Sequence, residues 1–346
     1  VKLKENNMFD PNLPLEEAAT LPASIYTSDA GDNALLHNWQ YVCDMSKFQN
    51  DGDFFATTLP ANGLINPVAF IAKGDLIKGY HNVCRHHAST ILTGCGNCTK
   101  LRCPYHAWTY DLDGQLIGTP EATNRKEKLP SLMTETYGQF LFARVFGTKE
   151  HAMAEFEDIW AMLSKANVPK DYVFAGRQVY KLNCNWKVFV DNFLDGGYHV
   201  NYIHPELAKT IDYKNYTTQI FDKAVLQIAP PKEATDIRGK ETAYYWWLFP
   251  NTMINVYDNM MDINVVKPLT AETCEVIIDF YKSPDIDSGI LLKSMAATHA
   301  IQIEDMEICA RVQEGMKSVT FREGRYGKRE DGMYHFHKLL SKYLPS

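Results

Sequence analysis

The sequence predicts an α+β chain of two domains, an antiparallel all-β unit followed by a sheet that ends in one long helix. Three observations carry this. Residues 36–145 are short β-prone runs broken by turn residues. Residues 150–282 switch to one helical run and then a series of strands. Residues 287–316 contain no proline and read as one long helix.

Taken in order, residues 1–35 read as an irregular arm with a helix near 15–20, packing on the second domain. In the first domain, assigned to 36–145, strands are expected at 68–72 and 76–80 around a Lys73-Gly74-Asp75 turn. Trp108 through Leu116 reads as a hairpin turning on Asp113-Gly114. In the second domain, 146–346, the expectations are a helix at 155–165, then strands at 173–182, 219–228, 244–249, 252–257, 261–266 and 274–281.

Composition narrows the class. A chain of 346 residues buries a large core. A formal charge of −7 argues against a nucleic-acid-binding stripe. No apolar run reaches transmembrane length, and no signal peptide is read at the start. An intracellular soluble location is therefore expected: cytoplasmic, or the plastid stroma where a transit peptide has been removed. Eight cysteines fit metal ligands plus scattered core thiols better than a disulfide framework.

Cys84-Arg85-His86 and Cys103-Pro104-Tyr105-His106 are the most specific signal. Sixteen residues separate the halves. Together they supply two thiolates and two imidazoles, the ligand set of a Rieske [2Fe–2S] cluster. The rival is a zinc site in which Cys95 and Cys98 join Cys103 and His106. The single-residue gap in Cys84-x-His86 speaks for the cluster, and leaves Cys95 and Cys98 as spectators on an exposed insertion.

A second constellation is His199 with His204. Five steps of a regular α-helix turn the two side chains roughly 140° apart, so one metal can take both only if the helix bulges or ends between them. An electron-transfer cluster needs an acceptor, and iron held by two His and one carboxylate is a usual oxygen-activating one. Two acids compete for the third place. Asp195 lies one turn before His199. Asp305 has the apolar neighbours Ile301, Ile308, Cys309 and Val312 at helical spacing, where a carboxylate is costly unless paired or metal-bound. Asp305 is the better ligand. Glu304 reads as solvated.

On Asn82-Val83-Cys84-Arg85-His86, Cys103 through Tyr110, Asn185-Trp186-Lys187, Tyr198-His199-Val200 with His204, and Glu304-Asp305, the chain resembles the Rieske non-heme iron oxygenases. Among them it is similar to the choline monooxygenases and the carnitine and glycine-betaine oxygenases. The resemblance implies an antiparallel-β Rieske domain and a helix-grip catalytic domain with a curved antiparallel sheet. It implies a [2Fe–2S] cluster, a mononuclear Fe(II), O2 as cosubstrate, and a ferredoxin or flavin/iron–sulfur reductase as electron donor. It also implies a head-to-tail homotrimer in which electrons cross between subunits. The expected reaction is hydroxylation of a small N-methylated ammonium substrate, with N-demethylation or oxidation of another betaine as the alternative. From another class, a Rieske electron carrier without a catalytic iron remains open.

Two departures matter. Many relatives place an acid three positions before the first iron His, where this chain has Gly196; Asp195 is expected to take over a bridging or supporting role. For a quaternary ammonium, aromatic faces are wanted. The candidates are Tyr198, Tyr202, Trp246 and Tyr257, with Asp258 as a counter-charge. Strand alternation lets only every other residue of Tyr244-Tyr245-Trp246-Trp247 face the iron side.

Overall fold

The structure is a computed structural model that describes residues 9–61, 64–121, 125–165, 168–232 and 242–344. The chain divides into two compact units, residues 35–171 and residues 1–34 with 172–346.

The first unit carries a seven-stranded sheet. Its order is Gln40–Asp44, Phe140–Arg144, Ser131–Tyr137, Leu76–His81, Leu64–Lys73, Asp53–Ala61 and Cys95–Asn97. A small sheet of Leu101–Arg102, Thr109–Tyr110 and Leu116–Gly118 completes the expected hairpin. Its Asp-Gly turn works because Gly114 takes φ +75°, which a side chain disfavours. The helix Lys149–Lys165 belongs to this unit, although the sequence reading gave it to the second domain. Packing explains the correction. Phe156 meets Trp39 and Phe142, and Trp160 meets the edge of Tyr137, so the apolar stripe is buried on the first sheet.

The second unit is a seven-stranded antiparallel sheet. Its order is Val173–Leu182, Thr273–Lys282, Met260–Thr270, Thr252–Val256, Ala243–Leu248, Ala224–Ala229 and Thr217–Ile220. The last two were expected as one strand at 219–228; residues 221–223 turn the chain between them. The helices Trp186–Phe193, Ser288–Met316 and Asp331–Ser341 pack with this sheet in a helix-grip arrangement. Asp287 caps the long helix, accepting the Gly289 and Ile290 amide N–H groups.

The expected helix at 15–20 is absent. Those residues form turns, and Ala19 bridges to Arg325. The first eight residues of the arm lie outside the described residues. The rest is tied to the start of the helix Trp186–Phe193. Trp186 Nε1 donates to Asp32 Oδ1 (2.7 Å), and the fully buried Lys187 donates to Ala30 O (2.9 Å). Asn185 accepts the Lys187 N–H as N-cap. These contacts account for Asn185-Trp186-Lys187 as a unit: Asn185 starts the helix, and all three hold the arm, Asn185 by donating from Nδ2 to Ser28 O at 3.1 Å. Among the described residues, no helix is long and apolar enough to cross a membrane.

Candidate metal centres

In the first unit the two ligand loops are built alike. Ala88 N–H donates to Cys84 O and Ala107 N–H to Cys103 O, both at 3.0 Å. Ala88 and Ala107 then take φ +58° and +56°, the left-handed region that closes each loop. Cys84 and Cys103 sit in the same buried cluster as Ile71, Leu101, Trp108 and Tyr110. The imidazoles lie at the outer end. His86 is exposed, stacks on Trp108 at 4.6 Å, and stands 4.7 Å from the His106 ring. Tyr110 Oη accepts the Arg85 N–H and lies 3.4 Å from Cys84 Sγ. Burial pushes the Cys103 thiol up, but amide donors from Tyr105 and His106 outweigh it and hold it below the usual value. Two buried sulfurs and two neighbouring imidazoles at a surface edge are the donor set a Rieske cluster requires. Cys95 lies on the exposed strand Cys95–Asn97, paired with Asp53–Phe55.

In the second unit, His199, His204 and Asp305 bring ligand atoms within 4.8 Å of one another. The helix does end between the two His. Val200–Ile203 stops at His204, which takes φ −116° and ψ 73°, and Pro205 opens the next helix, Pro205–Thr210. Asp305 comes from the long helix Ser288–Met316, 9% exposed. Its Oδ1 is 3.1 Å from His204 Nε2 and 3.9 Å from His199 Nε2.

The surroundings orient these groups. Asp195 Oδ2 accepts the N–H of His199 Nδ1 at 2.6 Å, and its two oxygens also accept the Tyr198 and His199 amides. Glu304 Oε2 lies 2.7 Å from His204 Nδ1. A carboxylate can only accept, so each Nδ1 carries the proton and each Nε2 keeps its lone pair for a metal. Asn192 Nδ2 donates to Asp305 Oδ1 at 2.8 Å. Burial pushes the His204 imidazole down, yet Asp305 and Glu304 overcome it and raise its pKa above the usual histidine value. A cation among the three groups balances the same acids, so the residues fit a two-His, one-carboxylate iron. Sequence reasoning missed Asn192 and set Glu304 aside as solvated, although it meets His204. Glu304 precedes Asp305 by one residue, and its neighbours on the helix did not reveal that His204 would reach it.

Gly196 has φ +69°, and a Cβ there would stand 2.2 Å from Arg329 O. Backbone therefore occupies the place of the missing acid, while Asp195 is spent on His199.

A cavity of about 120 Å³ opens beside the three ligand groups. Of the expected substrate residues, Tyr257 lines it. Tyr198 and Tyr202 are instead exposed, at 54% and 76%. Trp246 is buried on the opposite sheet face against Phe221, because Tyr245 and not Trp246 has the inward parity. Asp258 does not line the cavity; its carbonyl accepts from Tyr172 Oη. Tyr245, from the same aromatic run, lines the cavity as well; the lining residues that went unnoticed are Tyr216, Gln227, Asn255, Asp262 and Asn264. Gln227, Tyr245, Asn255 and Asp262 stand opposite one another across four strands, one polar row on the face the helices cover.

The two centres together define a class: a cluster domain for electron transfer joined to an oxygen-activating iron domain. Comparison agrees, for the chain matches the Rieske [2Fe-2S] domain over residues 38–137 and the ring hydroxylating alpha subunit (catalytic domain) over 169–346. It belongs to the Rieske non-heme iron oxygenases, enzymes that use the cluster, the mononuclear iron and O2. It is 34% identical to the chloroplastic choline monooxygenase of Arabidopsis thaliana, across 97% of this chain and 85% of that one. It is 27% identical to the carnitine monooxygenase oxygenase subunit of Escherichia coli (strain K12), across 98% and 96%. The fold matches a quaternary ammonium Rieske monooxygenase bound to L-carnitine, with TM-score 0.83, 24% identity and coverage of 98% and 100%. It also matches a Rhodococcus naphthalene 1,2-dioxygenase, with TM-score 0.74, 16% identity and coverage of 93% and 94%.

Proposed function

We propose that this chain is the terminal oxygenase for a small N-methylated ammonium compound, with Cys84, His86, Cys103 and His106 holding the cluster and His199, His204 and Asp305 the iron. The observation that carries the substrate class is that Tyr216, Tyr245 and Tyr257 line the cavity that His199, His204 and Asp305 also line. Tyr245 and Tyr257 meet edge to face at 6.1 Å. A ring face attracts an ammonium by about 0.5–1 kcal/mol when exposed and about 2 kcal/mol or more when desolvated. The relatives that act on choline and carnitine support the same class.

When bound, the mononuclear iron supplies O2 activation with electrons that originate at the Rieske cluster. The residues of the chain do the positioning. Asp195 and Glu304 hold the rings of His199 and His204, and Asn192 fixes one Asp305 oxygen. The tyrosines hold the ammonium so that a neighbouring C–H faces the metal, while Phe189, Val200, Leu207 and Ile301 exclude water from the wall. Hydroxylation next to oxygen gives an aldehyde hydrate; hydroxylation of an N-methyl gives a carbinolamine that loses formaldehyde. The exposed His86 and Tyr105 mark the edge where a ferredoxin or reductase delivers electrons. Transfer between subunits of a head-to-tail homotrimer fits the inter-subunit electron transfer described for the structurally similar monooxygenase.

The test is O2 uptake and product analysis with a compatible reductase and a panel of choline, carnitine and glycine betaine. At least one should stimulate uptake and yield a hydroxylated or demethylated product. If all three fail, the substrate class falls and the metal centres stand.

A further inference from the structure

Three of the core thiols that read as scattered in the sequence come together in the fold. Cys184 and Cys274 are 90 residues apart in the chain, and their sulfurs stand 3.9 Å apart. Cys309 hydrogen-bonds the same Cys184 sulfur. All three are free thiols and almost wholly buried. The elements explain the meeting. Leu182 pairs with Cys274 at the end of two neighbouring strands, and Cys184 follows two residues on, just before the N-cap Asn185. Cys274 shares its strand parity with Ile278, which lines the cavity. Cys309 lies one turn beyond Asp305 on the long helix. The thiols thus extend the sheet face and the helix face that line the cavity. A buried thiol is ordinarily inert. Here hydrogen bonds from Cys274 and then Cys309 hold the Cys184 thiol below its usual value, although burial pushes it up. The bond to Cys184, with burial, pushes the Cys274 thiol well above that value.

We propose that Cys184 and Cys274 are a reversible oxidation site: hydrogen peroxide oxidises Cys184, and Cys274 then closes a disulfide on it. In the first step the Cys184 sulfur takes one peroxide oxygen and becomes a sulfenic acid. The O–O bond breaks, and the other oxygen leaves as water with the thiol proton. In the second step the Cys274 sulfur displaces the sulfenic oxygen, which leaves as a second water with the Cys274 proton, and the S–S bond forms. The two thiols lose two electrons and one peroxide becomes two waters. Reduction of O2 by two electrons and two protons, without hydroxylation, yields peroxide in the adjoining cavity, so the oxidant need not enter from bulk water. Without Cys274 the sulfenic acid would go on to the sulfinic acid, which thiols do not reverse. The inference does not depend on which compound is the substrate.

The test is peptide mapping by mass spectrometry. The holoenzyme is treated with a small excess of hydrogen peroxide, its remaining thiols are alkylated, and it is digested without reductant. A peptide pair linked through Cys184 and Cys274 should rise at least about tenfold over the untreated enzyme, and dithiothreitol should remove it. In Cys274→Ser, with cluster spectrum and iron content as folding controls, the sulfinic acid of Cys184 should exceed the wild-type level by about tenfold or more. The wild-type map stands even if the variant does not fold. Cys184 and Cys274 both alkylated in full after peroxide would overturn the site and leave them as packing thiols. Cys184 linked to Cys309 instead would overturn the role of Cys274, as would an unchanged level of sulfinic acid in Cys274→Ser.

Discussion

The proposed cluster loops and the proposed iron site present His and a second ligand type to a metal in opposite ways. The loops are local. Each cysteine and its histidine belong to one tight turn, with the sulfurs buried and His86 at the surface. The iron site is assembled from afar. His199 and His204 come from a broken helix and Asp305 from a helix a hundred residues downstream, and His204 is 1% exposed. The difference follows from the work. A cluster that exchanges electrons with a partner needs an edge at the surface, whereas a site that activates O2 needs supporting residues around each ligand and a cavity closed to water.

Breaking each centre separately tests that contrast most strongly. Cys103→Ser should remove the brown visible absorption of the cluster and all reductase-dependent turnover, while the mononuclear iron stays bound. Asp305→Ala should do the reverse, emptying the mononuclear site and leaving the cluster spectrum intact. A single variant that loses both metals would contradict separate centres. Next in size is the support of the histidines. Asp195→Asn should retain most of the iron yet slow turnover by roughly 10–100-fold, because the acceptor that orients His199 is weakened. Loss of iron in Asp195→Asn but not in Asp305→Ala would exchange the two roles.

Gly196→Ala should lower the melting temperature, since a left-handed non-glycine residue costs about 1–3 kcal/mol before the clash with Arg329 O is counted. An unchanged melting temperature would show that Asp195 holds its place without help from the glycine backbone. The smallest effect belongs to the cluster unit. Hydrogen bonds from Lys73, then Lys78, hold the Asp113 carboxyl down at about 2. A depressed folded-state pKa stabilises above the ordinary aspartate value of about 4 and ceases to do so as pH falls through about 2. The melting-temperature gap between the wild type and Asp113→Asn should therefore be present at neutral pH and vanish toward pH 2. A gap constant with pH would contradict the ion pairs.

The same local-versus-distant contrast governs what could be read from the sequence. Cys84-x-His86 and Cys103-x-x-His106 are legible because both ligands of each pair lie within one turn, so spacing alone states the geometry. The long helix was legible because residues 287–316 run on without a proline. The pair His199 and His204 predicted its own broken helix. Asp305 was legible because an acid among Ile301, Ile308 and Cys309 needs a reason. The cavity was not. Asp262 and Asn264 alternate with Met261, Ile263 and Val265, a pattern that in an isolated strand marks a face turned to water. Only the tertiary fold, which lays helices over that face, turns the polar row into a buried wall. Tyr198 and Tyr202 misled in the other direction, since adjacency to a ligand in sequence does not aim a side chain at the metal. Trp246 failed on parity by a single residue.

The central claim is that one chain carries both a cluster and a separate catalytic iron, and metal analysis of the purified holoenzyme tests it most directly. An oxygenase should hold about three iron atoms per chain, two in the cluster and one at His199, His204 and Asp305. About two iron atoms with a full cluster spectrum, and none gained on adding Fe(II), would make the protein an electron carrier and contradict the account.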